Sequence, residues 1–465
     1  MRKVQVRIES VAFKGYGVAR THGKVVFIPH TVTGDEAWIE MTEEKEKYSM
    51  GRLIQIVEPS PWRVIPRCPS SGICGGCHWQ HIDYLIQCRL KKEILMDVLK
   101  RLGGLKEMPP TMVIPSPQPY GYRIRTQLKA KGKALGYFQE KSHRIVDILE
   151  CPIGHPLINQ MLSSIRKMFL SFSRTEEIEI NVSPDESKGV LILPYLSLER
   201  ETENVSKEFL QNHALFKGIV IAKKEKSTHS TPQSEARGML RVDTERRFLP
   251  RFKIRGLAPS NVSNFLGNPT LNITIPLDQK REKRELKFRI SPGSFSQVNL
   301  EQNQTLIQTV LQFADVNREE ILDLYCGVGN LTLPLAMGAK EVLGIEENRT
   351  AIEDARFNAE KNGIRNCEFI QGRVEDVLMR WKRENPDLVV LDPPRTGCKT
   401  ILDQVVRLKP KKIVYVSCEP TTFSRDLRLF SERGYSLQNL SLIDMFPQTF
   451  HMEVIGLLQQ SYDSG

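Results

Sequence analysis

The chain lacks several features that would place it outside the cytoplasm. No apolar run approaches the roughly 18 residues that a membrane-spanning helix needs. Its first residues, Met-Arg-Lys, lead into the alternating segment Val4–Ile8 and not into the apolar stretch of a signal peptide. The nine cysteines are an odd number, which argues against a disulfide framework. We therefore expect a cytoplasmic protein with no membrane partner.

Charge is distributed unevenly along the 465 residues, a length that predicts more than one domain. Residues 291–465 carry 19 Lys/Arg against 24 Asp/Glu, although the whole chain has a formal net charge of +11. The first 290 residues therefore hold 47 Lys/Arg against 31 Asp/Glu, a net charge of +16 that exceeds the basic excess of the whole chain. This asymmetry predicts that the front part binds a polyanion. A basic surface that serves only solubility is the alternative.

Residues 1–59 predict a small β-barrel, because short alternating segments are separated by glycine. The predicted strands are Val4–Ile8, Gly17–Arg20, Lys24–Ile28, Glu36–Glu40 and Gly51–Val57. The stretch 12–20, Ala-Phe-Lys-Gly-Tyr-Gly-Val-Ala-Arg, resembles the glycine-rich hairpin of a TRAM domain, an oligonucleotide-fold module that binds RNA. Its aromatic residues are candidate stacking platforms for bases, or else they pack the barrel.

Residues 60–290 predict a central domain of mixed α+β type. Apolar residues at helical spacing indicate a helix from Leu85 to Leu102, with Gly103-Gly104 as its stop. A proline-rich segment, 109–119, leads into a basic strand that begins at Tyr120. The polar stretch 223–234 is expected to form a mobile loop.

From residue 291 onward, apolar strands alternate with helical segments. This order predicts a doubly wound parallel sheet, in which ligands bind at the carboxyl ends of the strands. The predicted strands are Ile321–Tyr325, Val342–Glu346, Cys367–Ile370, Leu388–Asp392 and Ile413–Ser417, with Glu453–Leu458 as the closing strand.

A glycine-rich turn after the first of these strands indicates a nucleotide site. Asp323–Asn330 ends the strand and opens a helix, and Glu346 ends the next strand, where a carboxylate accepts hydrogen bonds from ribose hydroxyls. Thr332 stands where a dinucleotide fingerprint has its third glycine, and no Walker loop is present. S-adenosylmethionine fits this pattern, since it has a ribose and no phosphate. An NAD site and a catalytically silent fold are the alternatives.

Three further motifs lie at strand ends. Asp392-Pro-Pro-Arg follows the fourth strand, Cys418 follows the fifth, and Glu453 lies in an otherwise apolar segment. Methylation at C5 of a pyrimidine needs such groups, because a thiol must add at C6 to make C5 nucleophilic and a base must then remove the C5 proton. Burial would raise the pKa of Glu453 and suit it to that task. A packing cysteine at 418 and His451 as the base are the alternatives.

Four cysteines form a separate set with the spacing C-x5-C-x2-C followed by a distant fourth. They are Cys68, Cys74, Cys77 and Cys151. Thiolates at such spacing can ligate zinc or an iron–sulfur cluster. Zinc sites more often show two paired C-x2-C arms, which this set lacks. Four unligated thiols are the remaining alternative.

Together these motifs resemble the bacterial RNA 5-methyluridine methyltransferases across three predicted domains, 1–59, 60–290 and 291–465. The branch that acts on ribosomal RNA is the most similar, since it has both a TRAM domain and an iron–sulfur cluster. The resemblance implies a Rossmann-like methyltransferase domain behind a TRAM barrel and a central domain. It also implies RNA as the partner, ribosomal RNA foremost, and a monomeric enzyme.

The resemblance also implies roles for individual residues. Cys418 would be the nucleophile and Glu453 the proton acceptor. S-adenosylmethionine would be bound by Gln297, Tyr325, Glu346 and Asp392. A [4Fe–4S] cluster would be held by Cys68, Cys74, Cys77 and Cys151.

One departure concerns the nucleophile motif, which usually reads Ser-Cys-Asp/Asn-Pro and here has Glu419 as its third residue. Two other functions stay open at this point. The chain could methylate uridine in transfer RNA, although that branch typically lacks the cluster and the barrel. It could also be an RNA-binding protein whose methyltransferase fold is idle.

Overall fold

Alternating apolar residues build the sheets of this protein, and glycines and proline-rich turns separate them. The computed structural model describes residues 2–105, 107–168, 172–194, 207–222, 262–279 and 282–460. The polar stretch 223–234 lies outside the described residues. In the described part, no helix has the length and apolar character needed to cross a bilayer.

The first 58 residues form one six-stranded sheet with the order β1-β5-β6-β4-β3-β2. The backbone N–H of Glu9 donates to the carbonyl of Val18 at 2.8 Å, so the sheet curls around a small apolar core that includes Val26 and Ile39. The structure has one strand more than the five predicted, residues 10–12. The strands are β1 (Lys3–Arg7), β2 (Ser10–Ala12), β3 (Tyr16–Thr21), β4 (Lys24–Ile28), β5 (Glu36–Glu44) and β6 (Tyr48–Glu58).

A cysteine-containing segment and one long helix follow the barrel. The helix α1 (Tyr84–Gly103) begins where the Asp83 carboxylate accepts from the N–H groups of Leu85 and Ile86, and it ends at Gly104 with φ of 69°. These caps satisfy backbone groups that a helix end leaves free. The predicted bounds of this helix are confirmed to within one residue at each end.

The central sheet has seven strands in the order β10-β9-β8-β11-β12-β13-β14, and helix α2 (Pro156–Met168) packs against it. A separate two-stranded hairpin, β15–β16, leads into the last part of the chain. The strands are β8 (Arg125–Gly132), β9 (Ala134–Phe138), β10 (Ile145–Asp147), β11 (Phe172–Ser183), β12 (Lys188–Pro194), β13 (Phe216–Ala222), β14 (Val262–Gly267), β15 (Leu271–Gln279) and β16 (Glu282–Ile290).

The last part is a Rossmann-like sheet of eight strands in the order β19-β18-β17-β20-β21-β23-β22-β7. Its first five strands are parallel, and all of them except the edge strand of residues 367–371 are largely buried, as the apolar runs predict. They are β17 (Glu320–Leu324), β18 (Glu341–Glu346), β19 (Cys367–Gln371), β20 (Leu388–Leu391) and β21 (Lys412–Ser417). The antiparallel hairpin is β22 (Tyr435–Ile443) and β23 (Glu453–Gln460).

Helices cover this sheet, and one strand comes from outside the predicted domain. The short strand β7 (Thr111–Ile114) pairs in parallel with β22 at the edge, so the chain before residue 290 completes the methyltransferase sheet. The predicted domain limits stay a prediction. The helices are α3 (Leu300–Ala314), α4 (Thr332–Ala336), α5 (Arg349–Lys361), α6 (Val374–Met379), α7 (Leu402–Arg407) and α8 (Pro420–Ser431).

Candidate active site

The turn after β17 has the backbone conformation that a nucleotide-binding turn requires. Tyr325, Gly327 and Gly329 all have positive φ, at 66°, 55° and 86°, a region that glycine tolerates without strain. The Glu346 carboxylate at the end of β18 accepts from the N–H of Gly327 at 3.3 Å and from the N–H of Asn348 at 2.8 Å. The carboxylate is therefore held beside the turn.

A cavity of about 50 Å³ opens against this turn. Three of the four residues predicted to bind the donor line it: Gln297, Tyr325 and Asp392. The fourth, Glu346, lies behind the cavity wall through its bond to Gly327, which is itself a lining residue. The structure thus brings the four predicted residues to one place at the carboxyl ends of β17, β18 and β20.

Three carboxylic acids, Asp323, Glu346 and Asp392, lie close to one another in this region. Burial raises the pKa of Asp323 to about 7, and the nearby Asp392 and Glu346 carboxylates add to the increase. The pKa of Asp392 is also raised, first by burial and then by Glu346. Asp323 Oδ1 is buried without a hydrogen-bond partner. This is an environment in which a bound positive charge would be stabilised.

The β21–β23 pairing brings the predicted nucleophile and the predicted base together. The last pair of the ladder is Ser417 with Val454, and the next residues along the two strands are Cys418 and Glu453. Cys418 is half-buried, whereas Glu453 is only 3% exposed. Two residues that are distant in the sequence therefore lie at the same edge of the sheet.

Arg395 reduces the electrostatic penalty of placing two acids together. Burial and then the Glu453 carboxylate raise the pKa of Cys418 to about 12, and the Arg395 guanidinium opposes both effects. The pKa of Glu453 lies well above its ordinary value because of burial and the Asp392 carboxylate, and Arg395 again opposes the increase. In the sequence, Arg395 was noted only as the last residue of the Asp392-Pro-Pro-Arg motif.

Glu419 has a structural role that accounts for its position. Its carboxylate accepts from the backbone N–H of Thr421 at 3.4 Å and from the Thr421 hydroxyl at 2.7 Å, so it caps the N-terminus of α8, where Pro420 is the first residue. Aspartate, asparagine and glutamate side chains can each supply such an acceptor. The departure at 419 therefore leaves the local geometry intact.

The β22–β23 turn, residues 444–452, is held by a buried ion pair. Lys91 Nζ of helix α1 lies 2.6 Å from Asp444 Oδ1, and both side chains are fully buried. The same ammonium donates to the carbonyl of Phe446 at 3.1 Å. Because this turn leads directly into Glu453, helix α1 positions the carboxylate of the candidate active site.

A second set of contacts joins the same turn to the cysteine-containing segment. Gln87 and Gln448 exchange two hydrogen bonds of 3.0 Å each, and Gln448 has φ of 68°. The carbonyl of Gln448 accepts from the N–H groups of His78 and Trp79, both at 3.0 Å. The rings of His78 and Phe450 are in contact at a tilt of 53°, with centroids 4.6 Å apart. No local sequence pattern indicated these long-range contacts.

His451, the alternative base, also lies near the nucleophile. Its pKa is lowered to about 3, first by burial and then by the Arg395 guanidinium. A neutral imidazole with such a low proton affinity is a weak base. The lowered pKa of His451 makes Glu453 the stronger candidate, and its role as the proton acceptor stays a prediction.

The four predicted metal-binding cysteines surround one cavity of about 220 Å³. Burial raises the pKa of Cys74 to about 11 and that of Cys77 to about 12, and the pKa of Cys68 is raised in the same direction. Gln80 lines the same cavity, and its Nε2 is buried without a partner. Cys151 is held by its N–H, which donates to Asn159 Oδ1 at 2.8 Å.

Four thiols around one cavity are a donor set that fits either zinc or an iron–sulfur cluster. A zinc ion requires sulfur atoms within about 2.3 Å of one point. Within the described ranges, no group of three or more His, Cys, Asp or Glu side chains has the spacing to hold a metal ion. The four thiols line the wall of this cavity, and the assignment of a cluster to it stays a prediction.

Two family models match parts of the chain. Residues 275–461 match the model described as tRNA (Uracil-5-)-methyltransferase. Residues 4–62 match the model described as the TRAM domain of tRNA (uracil(54)-C(5))-methyltransferase. The second match coincides with the six-stranded barrel.

Relatives that match nearly the whole chain are identical to it at about one third of the positions. An uncharacterized RNA methyltransferase of Halalkalibacterium halodurans is 32% identical over 98% of this chain and 96% of its own length. The 23S rRNA (uracil(1939)-C(5))-methyltransferase RlmD of Pectobacterium atrosepticum is 31% identical over 98% of this chain and 93% of its own length.

A solved structure is similar over the same extent. The tRNA (uracil-54, C5)-methyltransferase of Pyrococcus abyssi, in complex with S-adenosyl-L-homocysteine, matches with a TM-score of 0.72 and 25% identity. The match covers 98% of this chain and 99% of that chain. The predicted fold class, a Rossmann-like domain behind a TRAM barrel, is confirmed.

Proposed function

This chain belongs to the family of S-adenosylmethionine-dependent RNA (uracil-C5) methyltransferases with an N-terminal TRAM domain, and we propose that it methylates uridine in ribosomal RNA through a covalent cysteine adduct. The observation that carries the covalent mechanism is the position of Cys418 and Glu453 beyond the last β21–β23 pair. Asp392 joins them to the donor cavity, because it lines that cavity and raises the pKa of Glu453.

In the first step, the half-buried Cys418 thiol gives up its proton to solvent water, and the thiolate forms a bond to C6 of the uracil ring as the C5–C6 double bond breaks. This addition makes C5 nucleophilic, as the carbonyl at C4 takes up the negative charge. Arg395 supports this step. Its guanidinium lowers the pKa of the Cys418 thiol and so opposes the increase that burial causes. C5 then bonds to the methyl carbon of S-adenosylmethionine, and S-adenosylhomocysteine leaves.

In the last step, the Glu453 carboxylate takes the proton from C5 and the electron pair reforms the C5–C6 double bond as Cys418 leaves. A carboxylate in water is a weak base for a carbon-bound proton. Burial of Glu453 raises its pKa well above the ordinary value, which brings its proton affinity closer to what this step needs.

The target base would have to leave its stack to reach a site at the end of a buried sheet. The basic front part of the chain, together with the barrel, supports RNA as the substrate.

In this proposal a [4Fe–4S] cluster would be held by Cys68, Cys74, Cys77 and Cys151. With all four irons ligated by cysteine, the cluster would tie together two distant segments of the central domain.

Ribosomal RNA is favoured by the relative from Pectobacterium atrosepticum, whose name gives a 23S rRNA uracil as its target. Transfer RNA is the second candidate, because the structure from Pyrococcus abyssi is named for uracil 54 of tRNA.

Mapping 5-methyluridine in ribosomal and transfer RNA, with and without the gene for this chain, distinguishes the two substrates. Loss of one ribosomal site in the deletion supports the proposal, and loss confined to transfer RNA supports the alternative. Unchanged 5-methyluridine in both would contradict the assignment.

A further inference from the structure

The loop between β9 and β10, residues 138–144, bridges the barrel and the cysteine-containing segment. The N–H of Gly75 donates to the carbonyl of Phe138 at 3.0 Å, and the N–H of Glu140 donates to the carbonyl of Ile73 at 3.3 Å. An isolated β-bridge joins Cys74 to Gln139 between these bonds. The loop is therefore attached by its backbone to the segment that carries three of the four cavity cysteines.

The same loop contacts the barrel through two side chains. His30 Nε2 lies 3.1 Å from Glu140 Oε2, so the single acid of the loop is engaged by the barrel. Lys141 Nζ lies 5.1 Å from the centre of the Tyr16 ring in the glycine-rich hairpin. An aromatic ring localises an ammonium group and leaves its charge available, unlike a carboxylate partner.

The exposed side of this bridge is basic and aromatic. Lys14, Lys141, His143 and Arg144 are exposed. Among the described residues, none of Lys14, Lys141 and Arg144 has a carboxylate within 4.0 Å. The rings of Phe138 and His143 meet edge to face with centroids 5.4 Å apart. Cations beside half-exposed aromatic rings are the usual composition of a surface that binds single-stranded nucleic acid.

We infer that this surface, formed by Lys14, Tyr16, Phe138, Lys141, His143 and Arg144, binds the phosphates and bases of single-stranded RNA next to the target uridine. The inference rests on the proposed function, since it assigns that RNA a path between the barrel and the catalytic end of the chain. The same hairpin contacts the catalytic end of the chain, because the ring centroids of Phe13 and Phe450 lie 6.3 Å apart and Phe450 lies in the β22–β23 turn.

The strands that carry the loop also provide a matched control. Lys131 and Lys133 lie at the opposite end, in the β8–β9 turn, and they are equally exposed. At about 3.3 Å per residue, the five residues of β9 separate the two ends by roughly 17 Å. Variants at the two ends therefore remove the same charge from the same hairpin system in different places.

The test is the salt dependence of binding to a fluorescent single-stranded RNA of mixed sequence. Each phosphate contact on a single strand contributes about 0.7 to the slope of log affinity against log salt concentration. For Lys141→Gln with Arg144→Gln, we expect the slope to fall by about 1.4 and the affinity at 0.1 M salt to fall about 25-fold. The Lys131→Gln/Lys133→Gln variant is expected to keep the wild-type slope.

Assays of methyl transfer and of donor binding distinguish a failure of this inference from a failure of the proposed function. The loop variant is expected to bind S-adenosylhomocysteine normally and to keep kcat, with KM for RNA raised. Equal slopes for wild type and loop variant would overturn the inference, even if methylation of uridine were established. Equal losses in the loop variant and the β8–β9 variant would also overturn it, since they would indicate a general effect of charge. Failure of the wild-type protein to methylate any RNA would contradict the proposed function instead.

Discussion

The site around Cys418 and the cavity around Cys74 both contain buried thiols, and burial is the first cause of the raised pKa in each. Their neighbours differ. Cys418 lies beside the guanidinium of Arg395 and the carboxylate of Glu453, whereas Cys74 and Cys77 lie among other cysteines. Burial alone therefore does not distinguish a nucleophile from a ligand. The charges and the other thiols around each sulfur make that distinction.

The two sites are also connected. The carbonyl of Gln448, in the turn that leads to Glu453, accepts from the N–H groups of His78 and Trp79, which follow Cys77 directly. Helix α1 binds the same turn through Lys91. The comparison between the two thiol sites can therefore be tested at each site and at the contacts between them.

The largest effect is expected at the nucleophile. Cys418→Ala removes the only sulfur that the proposed mechanism uses, so we expect no measurable methyl transfer and RNA affinity within a few-fold of wild type. A covalent complex of the wild type with 5-fluorouridine RNA is expected to disappear on denaturing gels. Cys367→Ala is the control, because burial alone raises the pKa of Cys367, to about 11. Methylation that persisted in Cys418→Ala would exclude the covalent mechanism.

Glu453→Gln is expected to stop the reaction one step later. Addition of the thiol and transfer of the methyl group need no carboxylate, whereas elimination does. We expect a denaturation-resistant protein–RNA complex that carries radioactivity from a labelled methyl donor, with no multiple turnover. The matched variant His451→Gln is expected to turn over. Turnover by Glu453→Gln at the wild-type rate would assign the base to another residue.

Cys74→Ser addresses the other thiol site. Anaerobically purified wild-type protein is expected to be brown and to contain iron and sulfide at about four each per chain. The variant is expected to lose this colour and to bind RNA more weakly, while its affinity for S-adenosylhomocysteine is retained because the donor cavity lies in the separate Rossmann-like sheet. Stoichiometric zinc without sulfide would show that the assignment of the group is wrong and would leave the methyltransferase function unaffected.

Lys91→Met tests the contact between helix α1 and the β22–β23 turn. The substitution leaves the Asp444 carboxylate buried without its partner, so we expect the free energy of unfolding to fall by about 3–5 kcal/mol in urea titrations. The double variant Lys91→Met/Asp444→Leu is expected to recover part of this loss. Lys92→Met, at the exposed neighbouring position, is the control. A loss of similar size in Lys92→Met would contradict a specific role for the ion pair.

The smallest effect concerns pH. Because burial raises the pKa of Asp323 to about 7 and raises that of Asp392 in the same direction, these groups are partly protonated at neutral pH. Ionised carboxylates attract the sulfonium of the donor, so binding releases protons and affinity rises as pH increases through 7, by at most about tenfold per unit for each proton released. S-adenosylhomocysteine, which lacks the sulfonium charge, is expected to show a weaker dependence in calorimetric titrations. Identical pH profiles for the two compounds would contradict this account.

Much of the fold could be predicted because its signals are local. The parallel strands of the last part are continuous apolar runs. The glycine pair 103–104 marks the end of helix α1 in the sequence. The strand β2 was missed because three residues are too short to show alternation. The strand β7 was missed because its partner, β22, lies more than 300 residues later in the chain, and short segments join a sheet only through tertiary pairing.

The sequence by itself determined which chemical groups are present: a thiol after a strand, a carboxylate in an apolar segment, a glycine turn and four spaced cysteines. Only the tertiary structure decided their surroundings. The β21–β23 register placed Cys418 opposite Glu453, and the fold brought Arg395 beside both. The fold also placed Lys91 next to Asp444, which is distant from it in the sequence. The order of residues along the chain determines which chemical groups are present and which local backbone conformations are preferred. The pKa values and contacts of those groups depend on distances in space, which the packed core determines.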